Sequence, residues 1–309
     1  MDAAESKEGI GESTILAVTT LQRYLLLAAL ALSSLLYGSK MTPDDFTKCV
    51  KKPLGLWLAM MVSALLAPLT AFVISLIFSL HYSDGLTLLI TSICPAGALS
   101  PIFAFYTQAD VCLCLSVIVL STLMSVGMIP LGVYLCSNAY TELDLAVIPN
   151  NIIVITLSTS IGFISLGMAL RNWKEKVADR LVLALSYLPV LIPIIMIFLV
   201  GITIQHSVHF TPSEIFPVLV YLLVLLSGTY LLGHLAGQTH ETCRAMAFSA
   251  ASKSVLLSLT VVHSSFTGEV LLSALPLPNL FLIEYIVIGL IFSAAFWIYR
   301  HYVPTAYVY

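Results

Sequence analysis

Lys253 is the residue whose type and place most need an explanation. It sits inside the apolar run Cys243–Phe266, in the stretch Ser249-Ala250-Ala251-Ser252-Lys253-Ser254. A charged side chain at mid-bilayer costs from about 2.5 to more than 10 kcal/mol depending on method, so it marks a function or a route to water. Two roles are open: a charge site in a transport path, or a lysine snorkelling to a wet cavity. Glu284 is the only acidic residue well inside another apolar run. It reads as a proton site, a partner of Lys253, a carboxyl facing a vestibule, or a neutral buried acid; no spacing links it to Lys253. Arg23, in the first run, is placed either to meet an anion or to snorkel. His263 reads as an ordinary helix histidine ahead of a proton relay.

A second interruption, Cys94-Pro95-Ala96-Gly97-Ala98-Leu99-Ser100-Pro101, breaks the apolar run before it. Pro95 and Pro101 lack N–H donors and prevent a continuous helix. Unpartnered backbone in hydrocarbon costs several kcal/mol, so such a stretch survives only where it is buried in protein or lines a cavity. Interruptions at comparable places in two halves of a chain are the pattern of a secondary transporter. A simple proline kink is the plainer alternative for the first. Pro68, Pro130, Pro189, Pro193, Pro276 and Pro278 read as kinks, and Gly162, Gly167, Gly228 and Gly233 as helix contacts. The sequence holds no G-x-S-x-G, no H-E-x-x-H, no phosphate loop and no paired carboxylates in a plausible cleft. No catalytic residue, metal ligand or cofactor-binding residue is assigned, and the chain is not expected to be an enzyme.

These elements need a membrane. The 309 residues are 59% hydrophobic and 9% charged, against roughly 25% charged in soluble domains. The six cysteines (Cys49, Cys94, Cys112, Cys114, Cys136, Cys243) lie in or beside apolar runs and read as packing, without a zinc or disulfide framework. The acidic start (Asp2, Glu5, Glu8, Glu12) has no basic n-region, so the first apolar run is expected to stay as a span. A net charge of −3 with no basic run gives no sign of a nucleic-acid partner.

A span needs about 20 apolar residues. Nine are expected: about Ile15–Tyr37, Leu54–Leu80, Gly85–Thr107, Val111–Cys136, Ala146–Leu170, Leu181–Gln205, Ile215–Ala236, Cys243–Phe266 and Val270–Tyr299. Lys40, Lys48, Lys51, Lys52, Arg171, Lys174, Lys176, Arg180, Arg244 and Arg300 then share one side. The opposite loops carry Asp84, Glu142, Asp144, Glu214 and Glu269, and no Lys or Arg; Lys7 in the N-terminal tail is the exception. The positive-inside rule puts the N-terminus outside and the C-terminus in the cytoplasm. The domains are accordingly an extracellular tail (1–14), a transmembrane transporter domain (15–299) and a cytoplasmic tail (300–309).

Cys94-Pro95-Ala96-Gly97-Ala98-Leu99-Ser100-Pro101-Ile102-Phe103, then Asp110, then Ser121-Thr122 with Gly127 and Pro130, resembles the bile acid:sodium symporter family of solute carriers. Lys52-Pro53-Leu54-Gly55, Ala67-Pro68-Leu69-Thr70-Ala71-Phe72, the run from Arg244 to Phe266, and Glu269-Val270 also match. The resemblance runs from about Leu21 to Tyr299 and is most specific at the first interruption. It implies an all-α membrane protein of nine transmembrane helices: inverted repeats, two crossed broken helices in a core domain, and a panel domain that rocks against it. It also implies transport of amphipathic organic anions such as bile acids and steroid sulfates, with two sodium ions beside the crossover.

Departures fall on the ion ligands. By the resemblance, Ser63 replaces a Gln, Ala98 and Pro101 replace Asn residues, and Cys114 and Ile118 replace hydroxyls. Ser249 replaces a Glu and Lys253 a second Gln; only Ser100 is kept. Sodium sites are therefore expected to be degenerate, with the Lys253 ammonium in the vacated position and no cofactor. The substrate and ion region comprises Ser63, Ala98, Ser100, Pro101, Cys114, Ser249, Lys253 and Glu284. The function expected is alternating-access transport of an organic anion without the usual sodium coupling. The alternative is a non-transporting scaffold or receptor that keeps the fold. Its partners are the bilayer and a small organic anion, with a homodimer left open and the plasma membrane the expected location. Cysteines introduced at Glu142 and Glu214 should react with an impermeant maleimide from outside the cell, and cysteines at Lys51 and Lys174 should not. Equal labelling of both pairs would sink the nine-span orientation.

Overall fold

The structure, a computed structural model, describes residues 24–51, 53–97, 99–139, 150–185, 191, 212–266 and 268–302. Helices α1 (Tyr24–Lys40) and α2 (Pro43–Lys51) come first. Helix α3 (Pro53–Met61) runs through a π turn (Val62–Leu66) into α4 (Ala67–Ile77). A break separates α5 (Tyr82–Ile93) from α6 (Ser100–Tyr106). Then come α7 (Val111–Ala139), α8 (Asn150–Trp173) and α9 (Glu175–Leu185). Helix α10 (Pro212–Leu235) precedes α11 (His240–Ala251), a second break and α12 (Val255–Ser265). The short α13 (Gly268–Ala274) and the long α14 (Pro276–Tyr302) follow.

Among the described residues, five helices are long and apolar enough to cross a membrane: Leu54–Ile77, Val111–Gly132, Val154–Trp173, Pro212–Leu235 and Pro276–Tyr302. Their outer faces carry Trp57, Leu69, Leu76, Leu231, Leu290 and Trp297 exposed, an apolar surface that suits hydrocarbon. The start of the first expected span, Arg23, Ala98, Glu142, Asp144, Pro189, Pro193 and most of the sixth expected span lie outside the described residues. The ninth expected span needs correcting. Instead of one helix over Val270–Tyr299, the chain bends at Leu275 and starts a new helix at Pro276. Proline cannot continue a helix from behind, whereas at a first turn its missing N–H has no helical partner to lose.

Both expected breaks are present. At the first, Cys94 before Pro95 takes an extended backbone (φ −60°, ψ 150°), the conformation that a following proline imposes. Pro101 then lies in the first turn of α6. The second break has no proline. Ser252 (ψ 127°) and Ser254 (ψ 90°) are extended, and each break is the other's partner. Gly97 N–H donates to Ser252 O (3.1 Å), Ser254 N–H donates to Pro95 O (2.9 Å), and Ala96 and Lys253 face each other as an isolated antiparallel bridge. The Thr91 and Ser258 hydroxyls, 2.7 Å apart, tie α5 to α12 beside it.

Glycines show where helices touch. A Cβ on Gly167 would strike Leu35 O of α1, and one on Gly233 would press on Cys243 and Met246 of α11, so both are contacts as expected. Gly162 and Gly228 face open space and are not. The Cys49 and Cys112 thiols lie 3.0 Å apart, without a disulfide between them, and join α2 to α7.

At Gly97 a Cβ would meet the Lys253 backbone and Ser252 Oγ (2.6 Å). Gly97→Ala should therefore force the breaks apart and cost about 1–3 kcal/mol, the usual range for overpacking. Gly162→Ala, with nothing in its way, should be neutral or gain up to about 1 kcal/mol in helix propensity. Thermal unfolding of the purified protein in detergent compares the two; equal shifts would contradict the close pairing.

Candidate functional site

Lys253 is 3% exposed, and its side chain reaches from the second break to the π turn. Its Nζ donates to Ser63 Oγ (2.9 Å) and to Ser63 O (3.1 Å). The carbonyl is available because of how the chain folds locally. In a regular α-helix the Ala67 N–H would donate to Ser63 O. Here Ala67 N–H donates instead to Val62 O, one residue further back. The next residue, Pro68, has no N–H to offer in a π pattern. Ser63 O is thus left by both helical donors and taken by Lys253. Pro68, expected only as a kink, is the residue that prevents a competing bond.

Other residues of the expected site divide into groups. Ser100 Oγ donates to Gly97 O (3.0 Å) and steadies the first break; Pro101 is buried behind it. Cys114 Sγ (3.5 Å) and Ser249 Oγ (2.7 Å) both turn to Ala245 O of α11, so these two positions meet each other and not Lys253. Ala98 lies outside the described residues. Glu284 is 8% exposed and neither of its carboxyl oxygens has a hydrogen-bond partner. A pairing of Lys253 with Glu284, one of the readings left open, does not form; the nitrogen is engaged on the π turn.

A cavity of about 50 Å³ lies at the crossover, against the extended residues Pro95, Ala96 and Ser252–Ser254. Its opposite wall comes from α1 and α8, through Ser33, Ser34, Tyr37 and Ser160. Ser33 Oγ and Tyr37 OH are buried there without a hydrogen-bond partner. No motif in the sequence singles out these hydroxyls, although Ser33 and Tyr37 are four apart and share one helix face. Ser121 also went unassigned: its Oγ accepts the Ala96 N–H (3.0 Å), a donor that leaves the helix at the break. A volume of 50 Å³ admits a few waters at most; pockets that hold drug-sized ligands measure roughly 300–1,000 Å³.

The model described as the sodium bile acid symporter family matches residues 26–209. The chain belongs to the sodium bile acid symporter family. The human ileal sodium/bile acid cotransporter is 27% identical over 295 residues, covering 93% of this chain and 82% of that protein. Its counterpart from Oryctolagus cuniculus is 26% identical over 290 residues, with the same two coverages. The human sodium-dependent organic anion transporter is 24% identical over 257 residues, 81% of this chain and 67% of that protein. The resemblance carried by the Cys94–Phe103 motif is thereby borne out. As a member of the symporter family, with several apolar helices, the chain is a multi-pass membrane transporter and not an enzyme.

In this symporter-family chain the Lys253–Ser63 contact should be separable from general packing. Ser63→Ala removes one of two acceptors and should destabilise the protein by about 1.5–3 kcal/mol, the range for hydrogen bonds to charged groups. In a Lys253→Met background the same change should cost little. A double-mutant cycle on thermal unfolding measures the coupling; additive losses would show that the bond contributes nothing.

Proposed function

We propose that the protein moves an amphipathic organic anion by alternating access, and that its own lysine takes the place of the sodium ion. The Lys253–Ser63 contact carries this reading. Lys253 and Ser63 stand at two of the positions where the resemblance places sodium ligands, and here one donates to the other. Sodium is a hard cation that prefers several oxygen ligands. Both oxygens of Ser63 are committed to Lys253, Cys114 offers a soft sulfur, and Ser249 donates to Ala245 O. A second cation at Ser63 would also meet the lysine's charge. Glu284, buried without a partner, is the remaining candidate for an exchangeable proton.

Support for the substrate class comes from the relatives, whose names specify bile acid and organic anion. The crossover cavity adds chemistry of the right kind: mostly apolar walls with the Ser33 and Tyr37 hydroxyls unpartnered. At about 50 Å³ it is closed to a steroid, so transport on this reading requires α1 and α8 to move away from the crossover. That motion corresponds to a panel rocking against a core of crossed broken helices. The full proposal is a nine-span protein of inverted repeats in the plasma membrane. Residues 1–14 form an outer tail, 15–299 the transporter domain and 300–309 a cytoplasmic tail.

The test is the initial uptake rate of a labelled steroid sulfate into proteoliposomes, in sodium and in choline medium. Wild-type rates should be equal in the two media, and Lys253→Gln should abolish or cripple uptake. Lys253→Gln combined with Ser249→Glu should restore weak cation dependence. A wild-type rate that vanishes in choline refutes the lysine substitution. No uptake in either medium, with folded protein, favours a scaffold or receptor.

A further inference from the structure

A second cavity opens elsewhere, between α10, the Arg244–Phe248 stretch of α11 and the C-terminal half of α14, and has a volume of about 460 Å³. It shares no lining residue with the crossover cavity. Its wall is mainly aromatic and aliphatic, formed by Leu226, Phe248, Phe292, Phe296 and Tyr299. Arg244 is the one charged residue on that wall. Such a volume falls within the roughly 300–1,000 Å³ of pockets that take small organic ligands.

Arg244 is held as a fixed cation with donors to spare. Its guanidinium carbon lies 4.8 Å from the centroid of the Phe296 ring, a cation–π placement. One Nη2 hydrogen goes to Gln108 O (3.2 Å). Nε is buried and has no partner. Among the described residues, no carboxylate forms an ion pair with it. A guanidinium has five N–H donors in a rigid fork suited to carboxylate and sulfate oxygens. An aromatic-walled cavity with a single oriented cation at its edge is complementary to an apolar body with a single negative charge.

We propose that this cavity binds an amphipathic monoanion drawn from the bilayer, its carboxylate or sulfate on Arg244 and its apolar body along the aromatic wall. The size suits one acyl chain or one steroid nucleus and excludes a two-chain phospholipid. The occupant would lie against Phe248, whose carbonyl accepts both the Tyr285 hydroxyl (3.0 Å) and the Ser252 N–H (3.0 Å). Tyr285 and Ser252 line the crossover cavity. The site therefore abuts the end of α11 at the break, without being the path through it.

The experiment uses full-length protein in phosphatidylcholine nanodiscs and a photoactivatable sixteen-carbon fatty acid. Labelled peptides should map to Leu226–Tyr230 and Phe292–Tyr299. Arg244→Gln should lower labelling by roughly tenfold, the loss expected when a charge-assisted contact of about 1.5 kcal/mol is removed, and Arg244→Lys should retain most of it. Ala295→Trp fills the cavity and leaves Arg244 in place; it should also suppress labelling, and it decides the matter if Arg244→Gln does not fold. The methyl ester of the probe should label weakly, and phosphatidylserine should not compete. Labelling that is indifferent to both variants, equal for acid and ester, displaced by phosphatidylserine, or confined to residues 30–37 and 252–257 would overturn the proposal. Labelling is read without any uptake measurement, so it stands or falls apart from the transport reading.

Discussion

Backbone that leaves a helix between apolar elements has to find hydrogen bonds from somewhere, and here each of two interruptions supplies the other. Pro95 and Gly97 offer a carbonyl and an amide; Ser252 and Ser254 offer their complements. Ser121 takes the amide of Ala96 between them. Four half-helices, α5, α6, α11 and α12, end or begin at this small antiparallel patch. Moving one would strip the other of partners, each worth several kcal/mol in the absence of water. The buried faces of α7 and α14 pack around an arrangement that the patch has already fixed.

Lys253 is held by a second constraint that originates in a different helix. The π turn shifts one hydrogen bond back by a residue and Pro68 withholds the next donor, so a carbonyl inside a continuous span is left to accept from outside it. A helix irregularity of this kind is a common device at functional sites. In this chain it converts a lone serine into a two-oxygen acceptor. The family likeness extends over most of the chain, and on the proposed reading the lysine at this position stands in for the ion. That difference is the physical basis for expecting the transport cycle to run without the ion named in its relatives.

The first break was legible because Pro95 and Pro101 act through local sterics, which a sequence displays directly. The second was legible from Lys253 and its serines, since charge in an apolar run is costly wherever it lies. Lys253's partner was not legible. Ser63 is 190 residues away, and its availability depends on a π turn that no periodicity announces. Glu284 was expected as one possible partner from charge alone, and geometry gave Lys253 a neutral serine instead. Pro276 reads as a kink in the sequence, but the apolar composition on both sides of it hid that one helix ends there and another begins. Ser33 and Tyr37 match no motif, and their role depends on the placement of α1 opposite the paired breaks.

The antiparallel patch also bears on how the protein is made. A chain emerging from the ribosome delivers α5, the first break and α6 to the membrane well before α11 exists. Throughout that interval Pro95 O and the Gly97 amide are without their eventual partners. They must be kept in water at the insertion machinery, or be covered by something else, until the last fifth of the chain arrives. A chain that ended before Ser252 would lack both backbone partners of the first break. The order of synthesis thus makes the C-terminal helices the chaperone of the N-terminal half.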